Sequence, residues 1–439
     1  MNSEFFDLIQ QKTGFTLEWE LFKTVSGQTS SDEQINLLMA SGKPPNLIDR
    51  PTPAWAGRAA KEGGLAYIDD DLPKYPFLSK FMTPNFRSYA TVNGKMYVIP
   101  AYLPQTSTTL AVRKDWLREL NLAEPKTTEE LYAVLKAVKA AKPNVIPLVI
   151  SGSFEHLSSL LGSFGIPNER DAFIVIEDGK ASFPYRDNRI VEFIQYMHRL
   201  YAEGLVDKEF MIDKEAFQKL LAGNGFVMDV NYVNYVRQMG VFKEKNPSGI
   251  LEYFDPPKGP HGESGILVIR ALQSRFVIPA IHQNKVDLAL EFLEIVNSRE
   301  DILDLFACGI VGRDVIKNPD GTFTKTDNFA KISGTKGYYS ILDIVGHFTR
   351  INNILEGFDK PIEFMLQTAK DNDIYYAPVD VAAEAGSAAP ELSRITIDAV
   401  LNMIVNGYSD AAFNKMKQDQ VNAGLEKALA IYQAWYDKR

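Results

Sequence analysis

The sequence predicts an α/β protein made of two lobes, and three observations support this fold class. Strand-like and helix-like segments alternate along the chain, which is typical of strands covered by helices. Stretches rich in turn-forming residues interrupt the alternation, most densely at Asp255–Gly262. In the segment 93–122, a short strand, a polar run and a second strand lead into a helix. We interpret that polar run as a crossing between the lobes.

The first 125 residues contain strand and helix patterns in turn. Apolar residues at helical spacing predict helices, alternation predicts strands, and Asn93-Gly94 is typical of a tight type I′ turn. Because proline donates no main-chain hydrogen bond, we expect Pro100 to end the strand that returns from this turn. The predicted elements are a helix at Phe5–Lys12, a strand at Phe15–Phe22, a capped helix from Ser31 to Gly42, strands at Asn46–Asp49, Lys95–Pro100 and Thr109–Val112, and a helix opened by Arg113-Lys114-Asp115.

The later part of the chain continues this alternation, which predicts largely parallel pairing with helices on both faces of the sheets. Thr127 and Ser409 are predicted helix caps, and Asp178-Gly179 and Asn318–Gly321 are predicted hairpin tips. The other predicted elements are helices at 130–138, Arg189–Glu203, Asp287–Val296 and Ala411–Lys417, and strands at Val145–Ile150, Phe173–Ile176, Ala181–Phe183, Gly225–Val230 and Phe276–Ile281.

Both predicted lobes are discontinuous in sequence. The N-terminal lobe takes residues 1–108 and 262–312, and the C-terminal lobe takes 109–261 and 313–439. The chain is expected to cross between them near Pro104–Thr109, near Pro256–Gly262 and around Gly309–Arg313.

Composition excludes several classes of protein. The 439 residues carry a formal charge of −9, which argues against nucleic acid or an anionic membrane surface as the main partner. Cys308 is the single cysteine, so an internal disulfide and a multi-cysteine metal site are both excluded. The sequence also lacks the run of about 18 apolar residues that a membrane-spanning helix needs.

Four passages, in order, carry a family resemblance. The segments NGKMYVIP, AVRKDWLRELNL and PKTTEEL between residues 93 and 131 resemble the family 1 extracellular solute-binding proteins of ABC importers, above all the large oligosaccharide-binding lipoproteins. The other three matching passages lie at 37–48, at 201–210, and at 404–407 with 430–439.

The resemblance implies a periplasmic-binding-protein-like fold of type II, with hinge crossings between the lobes and a ligand cleft between them. It implies an extracytoplasmic receptor, anchored as a lipoprotein or periplasmic, that captures an oligosaccharide by lobe closure. The expected partner is the permease of the transporter, and the receptor is expected to be a monomer. Relatives begin with an export signal, a lipid-carrying cysteine and a first strand. The present sequence, which begins Met1-Asn2-Ser3-Glu4, is expected to lack all three.

Ligand contacts are expected on loops that follow strands, because ligands of open α/β sheets bind at the carboxyl ends of strands. Aromatic rings suit the CH face of a sugar, and polar side chains suit its hydroxyls. The alternative for each polar residue is a loop side chain that satisfies its own backbone. Trp116 and Trp435, in amphipathic helices, are expected in the core. The candidate ligand-binding residues are the aromatic Trp55, Tyr102, Tyr232 and Tyr235 and the polar Asp49, Arg50, Gln105, Asp229, Asn231 and Asn234.

No catalytic or metal-ligating residue is predicted. Motifs for nucleophile elbows, zinc proteases and phosphate loops are absent from the sequence, and its five histidines show no helical ligand spacing. Asp371-Asn372-Asp373 begins like a calcium loop but lacks the glycine and glutamate of an EF-hand. No cofactor is expected, and a structural calcium stays open. Two alternatives to the transport receptor also stay open: a polysaccharide-active enzyme, either hydrolase or lyase, and a sensor subunit for a signalling partner.

Overall fold

The computed structural model describes residues 3–18, 31–102, 108–166, 173–213, 215–264, 272–321, 323–329, 377–386 and 388–439. These residues form two compact units. The first unit contains the described residues within 1–104, 270–356 and 375–387. The second contains those within 105–269, 357–374 and 388–439.

Helices account for much of both units. The α-helices of the described residues are α1 (Ser3–Thr13), α2 (Ser31–Ala40), α3 (Pro53–Lys61), α4 (Pro76–Phe81), α5 (Pro84–Ala90), α6 (Lys114–Glu119), α7 (Thr128–Ala141), α8 (Ser158–Ser163), α9 (Asn188–Ala202), α10 (Ala216–Leu221), α11 (Tyr232–Lys245), α12 (Val286–Ser298), α13 (Glu300–Cys308), α14 (Val379–Ala385), α15 (Ala389–Asn406), α16 (Asp410–Asn422) and α17 (Leu425–Tyr436). Short 3₁₀ helices lie at Leu72–Lys74, Phe154–His156, Pro184–Arg186 and Ala280–Lys285.

The strands are short. Those of the described residues are β1 (Ile48–Asp49), β2 (Thr91–Val92), β3 (Lys95–Met96), β4 (Val98–Tyr102), β5 (Thr108–Arg113), β6 (Ile146–Val149), β7 (Val175–Glu177), β8 (Lys180–Ser182), β9 (Gly225–Asn231), β10 (Leu251–Tyr253), β11 (Leu272–Val277), β12 (Val315–Lys317) and β13 (Phe323–Lys325).

The first unit is built around a three-stranded sheet in the order β1-β11-β4. The central strand β11 runs antiparallel to both neighbours, so β1 and β4 run in the same direction. Apolar faces of α1, α4, α5 and α12 close the core of this unit against the sheet, with Ile9, Leu78, Val98 and Leu290 fully buried. Because β1 and β4 run in the same direction, their carboxyl ends lie at the same edge of the sheet.

The second unit contains a four-stranded sheet in the order β10-β5-β9-β6. Strand β9 pairs parallel with β6 and antiparallel with β5. Helices α10 and α11 supply Leu220 and Phe242 to a core that also contains Val149 and Met228 of the sheet. The ends of β6 and β9 therefore lie at one edge, where β5 begins.

Local turn chemistry predicted several elements correctly. Positive φ angles at Asn93 (50°) and Gly94 (81°), and at Asp178 (49°) and Gly179 (77°), confirm the two tight turns. The predicted caps are confirmed as well, because the hydroxyl of Thr127 accepts the N–H of Glu130 in α7 and that of Ser409 accepts the N–H of Ala412 in α16. These features depend on neighbouring residues alone.

Pairing between distant strands was predicted less well. Among the described residues, β6 and β9 form the only pair of parallel strands, so the expectation of largely parallel sheets is wrong. Pro100 does not end its strand: β4 continues to Tyr102. The register of β11 shifts opposite Pro100, between Ser274 and Phe276, and such a bulge accommodates a proline that donates no hydrogen bond.

The crossing expected around Gly309–Arg313 is wrong for the described residues, which stay with the first unit up to residue 329. Arg313 forms ion pairs with Glu4 of α1 and with the buried Asp314. Lys317 lies 2.9 Å from Asp304 of α13. These ion pairs connect this segment to α1 and α13 within the first unit.

In the breaker-rich stretch near Pro256–Gly262, where a crossing is predicted, the described residues up to 264 belong to the second unit and those from 272 belong to the first. The carbonyl of Lys258 accepts the N–H of Thr128 at 2.9 Å, and that of Pro257 accepts the hydroxyl of Ser163 at 2.5 Å. Prolines and glycines here form an ordered connection on this unit. The other lobe boundaries stay a prediction.

Candidate functional site

The second unit brings three chain segments to one edge of its sheet. Leu148 of β6 pairs with Val227 of β9 in parallel, and on its other side with Val206, also in parallel. The residues that follow β6, β9 and Val206 therefore leave the sheet at the same edge, which we call the second carboxyl edge. In open α/β sheets, ligands bind outside the carboxyl ends of strands. This edge is the candidate site of the second unit.

The backbone places several predicted site residues at the second carboxyl edge. Asn231 ends β9 opposite Thr108, the first residue of β5, and Tyr232 and Asn234 follow in the first turn of α11. Their side chains lie outside the described part of the structure, and Gln105 lies outside it altogether. Their ligand contacts stay a prediction.

Asp229 holds this edge together from within. Its side chain is fully buried, and its carboxylate accepts the N–H of Ser159 at 2.6 Å and the hydroxyl of Ser159 at 2.9 Å. Its carbonyl accepts a hydrogen bond from Nδ1 of His156 at 2.9 Å. The carboxylate thus ties β9 to the start of α8. It was predicted as a ligand contact, and its geometry favours a positioning role.

The connection after β6 carries polar side chains that the sequence-based selection missed. The hydroxyls of Ser151 and Ser153 lie 3.1 Å apart, and both residues are half-buried. His156 follows in the 3₁₀ helix and is also half-buried. Such hydroxyl and imidazole groups can donate to and accept from the hydroxyls of a sugar. The sequence could have identified Ser151, Ser153 and His156 as candidates, because they follow the predicted strand Val145–Ile150.

Tyr235 was predicted on a loop after β9, and this expectation is wrong, because α11 begins directly at Tyr232. The Tyr235 hydroxyl donates to the carbonyl of Leu251 at 2.8 Å, and its ring stacks on Tyr253 with centroids 4.3 Å apart. Burial, with a smaller contribution from Glu252, raises the pKa of Tyr235 to about 12. Tyr235 therefore packs between α11 and β10.

The first unit presents a comparable edge. Since β1 and β4 both run antiparallel to β11, Asp49 and Tyr102 end their strands on the same side. The side chain of Arg50, directly after β1, is 59% exposed, and its Nε lies 3.8 Å from the Asp49 carboxylate. Arg50 has a φ of 56°, so the chain turns sharply here. The structure describes the backbone of Tyr102 but not its side chain.

Trp55 does not lie on a loop, which corrects the predicted location. Thr52 caps α3 by accepting the N–H of Trp55 at 3.2 Å, and Pro53 begins the helix. The indole Nε1 donates to the Asn36 side chain of α2 at 2.7 Å, and Trp55 is only 5% exposed within the core of the first unit. Such burial leaves little of the ring for a ligand. Stacking on a ligand is untested.

The described residues hold no group of three or more His, Cys, Asp or Glu side chains arranged to bind a metal ion. Cys308 is buried in α13. The calcium-like segment at 371–373 and His347 lie outside the described residues. Among the described helices, none is both long and apolar enough to cross a membrane.

A family model described as bacterial extracellular solute-binding protein matches residues 4–301. The chain therefore belongs to this family, whose members are binding proteins. The α/β fold class and the family resemblance of the sequence are thereby confirmed. The family name also indicates an extracytoplasmic location.

Two characterised relatives match most of the chain. The fructooligosaccharide ABC transporter substrate-binding protein FusA of Streptococcus pneumoniae is 30% identical, with 98% of this chain and 86% of that protein covered. The polygalacturonan/rhamnogalacturonan-binding protein YtcQ of Bacillus subtilis is 24% identical, with 92% and 82% covered.

Solved structures show the same fold. S. pneumoniae FusA in complex with kestose has a TM-score of 0.77 at 19% identity, with 99% of this chain and 95% of that chain covered. The alginate-binding protein AlgQ2 has a TM-score of 0.73 at 17% identity, with 94% and 90% covered. Both are binding proteins by name.

Proposed function

We propose that this protein is the substrate-binding receptor of an ABC importer, which captures an oligosaccharide and delivers it to a membrane permease. The observation that carries the proposal is the 30% identity to the fructooligosaccharide receptor FusA over 98% of the chain. The match extends over both compact units, so it includes the strand ends where ligands of such folds bind. No reaction is part of this function.

The named ligands of the relatives are polymers or oligomers of sugars, but they differ in charge. Fructooligosaccharides are neutral, whereas polygalacturonan is acidic. The exposed guanidinium of Arg50 suits hydroxyl groups as well as carboxylates, and Ser151 and Ser153 suit hydroxyls. We therefore propose an oligosaccharide as the ligand class and leave its monomer to experiment.

Location and partners follow from the same proposal. The receptor works outside the cytoplasm, either anchored as a lipoprotein or periplasmic, and a single copy docks on the permease. The lipoprotein LipO of B. subtilis, 23% identical over 68% of this chain, supports the anchored form. Size-exclusion chromatography with light scattering tests the monomer.

A glycan-binding screen on the purified protein tests the function. The panel should contain kestose and longer fructans, oligogalacturonates, alginate oligomers and N-glycan fragments. We expect saturable binding of one sugar class, with the bound sugar recovered at its original length. Shortened or unsaturated products would support a hydrolase or a lyase instead, and a panel with no binder would contradict the carbohydrate assignment.

A further inference from the structure

The segment Asp207–Asp213, which we call the 207–213 loop, leaves the sheet at the second carboxyl edge. The N–H of Leu148 donates to the carbonyl of Leu205 at 2.9 Å, and Val206 pairs parallel to Leu148. The chain at Val206 thus runs in the same direction as β6. The loop that follows therefore lies beside the Ser151–His156 connection, on the side of β6 away from β9.

Three contacts hold this loop in place. The Phe210 side chain is fully buried and meets the Tyr201 ring edge to face. Lys219 of α10 forms ion pairs with both Asp207 and Asp213, so one ammonium group joins the two ends of the loop. These contacts anchor the chain on both sides of the loop tip at Met211 and Ile212.

Gly152 lets the loop approach the connection after β6 closely. A Cβ at this position would lie 2.4 Å from the carbonyl oxygen and 3.0 Å from the carbonyl carbon of Met211. Real Cβ atoms do not approach backbone atoms this closely, so any larger residue would displace the loop. Because Gly152 has no side chain, the backbone of Met211 can lie directly against the connection that follows β6 at the candidate site.

The anchored loop exposes two apolar side chains. Ile212 is 79% exposed and Met211 is 39% exposed, although both are adjacent to the fully buried Phe210. Single exposed apolar residues are common on soluble proteins, but adjacent ones on a fixed loop beside a binding edge favour contact with a ligand. The thioether of Met211 adapts readily to different partner shapes.

We infer that Met211 and Ile212 form an apolar platform at the second carboxyl edge, on which the CH face of a bound oligosaccharide packs. This inference rests on the proposed function. The hydroxyls of Ser151 and Ser153 belong to the neighbouring connection after β6, and the platform would supply the apolar contact that a sugar ring also needs. The platform adds affinity without contributing to the folded core.

Calorimetric titration of the double variant Met211→Ser/Ile212→Ser tests the platform. The probe is whichever of kestose or a defined oligogalacturonate the wild-type protein binds more tightly. Losing on the order of 50 Å² of apolar contact corresponds to about a tenfold rise in the dissociation constant. Because both side chains are exposed, we expect the melting temperature to stay within about 2 °C of the wild type. Gly152→Ala should weaken binding too, since it displaces the loop.

Val421→Ser is the matched control, because Val421 is an exposed apolar residue of α16, 37% exposed in the second unit. The Val421→Ser variant should bind the same oligosaccharide probe with the dissociation constant of the wild type. An unchanged affinity of the double variant, with normal binding by the wild type, would overturn the platform and leave the proposed function intact. A wild-type protein that binds neither of these two probes nor any other oligosaccharide of the glycan panel would overturn both.

Discussion

At the scale of single residues, Trp55 is buried because it lies in the helix α3 and not on a loop. The sequence after β1, Arg50-Pro51-Thr52-Pro53, resembles an exposed loop, yet Thr52 and Pro53 are also good residues to begin a helix. The side chain of Asp32 binds both the N–H and the hydroxyl of Thr52. That contact joins residues 20 positions apart at the start of the helix, and sequence patterns alone do not reveal it.

Trp55→Ala should destabilise the first unit. Removing a buried indole costs about 3–5 kcal/mol of unfolding free energy, and it also leaves the Asn36 side chain without its 2.7 Å partner. Urea denaturation followed by circular dichroism measures the loss. Trp435→Ala, at a half-buried position in α17, should cost less. A Trp55 variant of normal stability that has lost ligand affinity would instead support stacking on the ligand.

Asp229→Ala should destabilise the second unit by about 2–4 kcal/mol, because the buried N–H and hydroxyl of Ser159 lose their acceptor. Asp229→Asn keeps one acceptor oxygen and should cost less. Chemical denaturation of both variants distinguishes them. If Asp229→Ala kept wild-type stability and lost only ligand affinity, the carboxylate would be a ligand contact and not a positioning group.

At the scale of secondary-structure elements, the sequence predicts features that depend on neighbouring residues. It does not predict contacts between elements that are distant in sequence. The tight turns at Asn93-Gly94 and Asp178-Gly179 follow from residues that tolerate positive φ. The continuation of β4 past Pro100 instead depends on a bulge in β11, which is more than 170 residues away in sequence. Likewise, Tyr235 of α11 stacks on Tyr253 of β10, a contact between two elements that sequence patterns do not pair. The periodic patterns of apolar residues in the sequence do not reveal such distant partners.

The end of α15 offers a test of backbone strain. Gly407 has φ 88° and ψ 154°, a region that is essentially restricted to glycine, and an added Cβ would lie 3.3 Å from the His198 ring. We expect Gly407→Ala to cost about 1–3 kcal/mol. Gly240→Ala in α11 is the control: a Cβ there meets open space, so it should stabilise by about 0.5–1 kcal/mol. Equal effects of the two substitutions in thermal unfolding would refute the strain argument.

The 207–213 loop should weaken in acid. Burial by itself would raise the pKa of Asp213, but the Lys219 ion pair and the N–H of Glu215 outweigh it and hold the pKa below its ordinary 3.8. A lowered pKa stabilises the fold above the ordinary value, and this stabilisation disappears as the pH falls through the folded-state pKa. The unfolding free energies of wild type and Asp213→Asn should therefore differ at pH 6, and this difference should shrink as the pH falls below 3.8. If the difference in unfolding free energy stayed constant over this pH range, the charge of the Asp213 carboxylate would not contribute to stability.

At the scale of the whole molecule, the family was predictable from the sequence because its scaffold motifs recur in order along the chain. The described residues up to 102 belong to the first unit and those from 108 belong to the second, and most of the predicted crossing at 104–109 lies outside the described residues. The crossing predicted around 309–313 was wrong, because contacts such as the ion pair of Arg313 with Glu4 join residues far apart in sequence. The particular sugar could not be predicted either, because the scaffold motifs that identify the family do not specify the side chains that contact the ligand. Closure of the lobes on the ligand, inferred from the resemblance, stays a prediction.

The most direct test of the account is a calorimetric titration of the wild-type protein with the best oligosaccharide of the screen, followed by mass spectrometry of the recovered sugar. We expect about one sugar per chain, recovered intact, and at a hundred times the dissociation constant a stabilisation of about 2.7 kcal/mol by mass action. A sugar that is cleaved on incubation, or the absence of saturable binding across neutral and acidic oligosaccharides, would contradict the assignment of this protein as an oligosaccharide receptor.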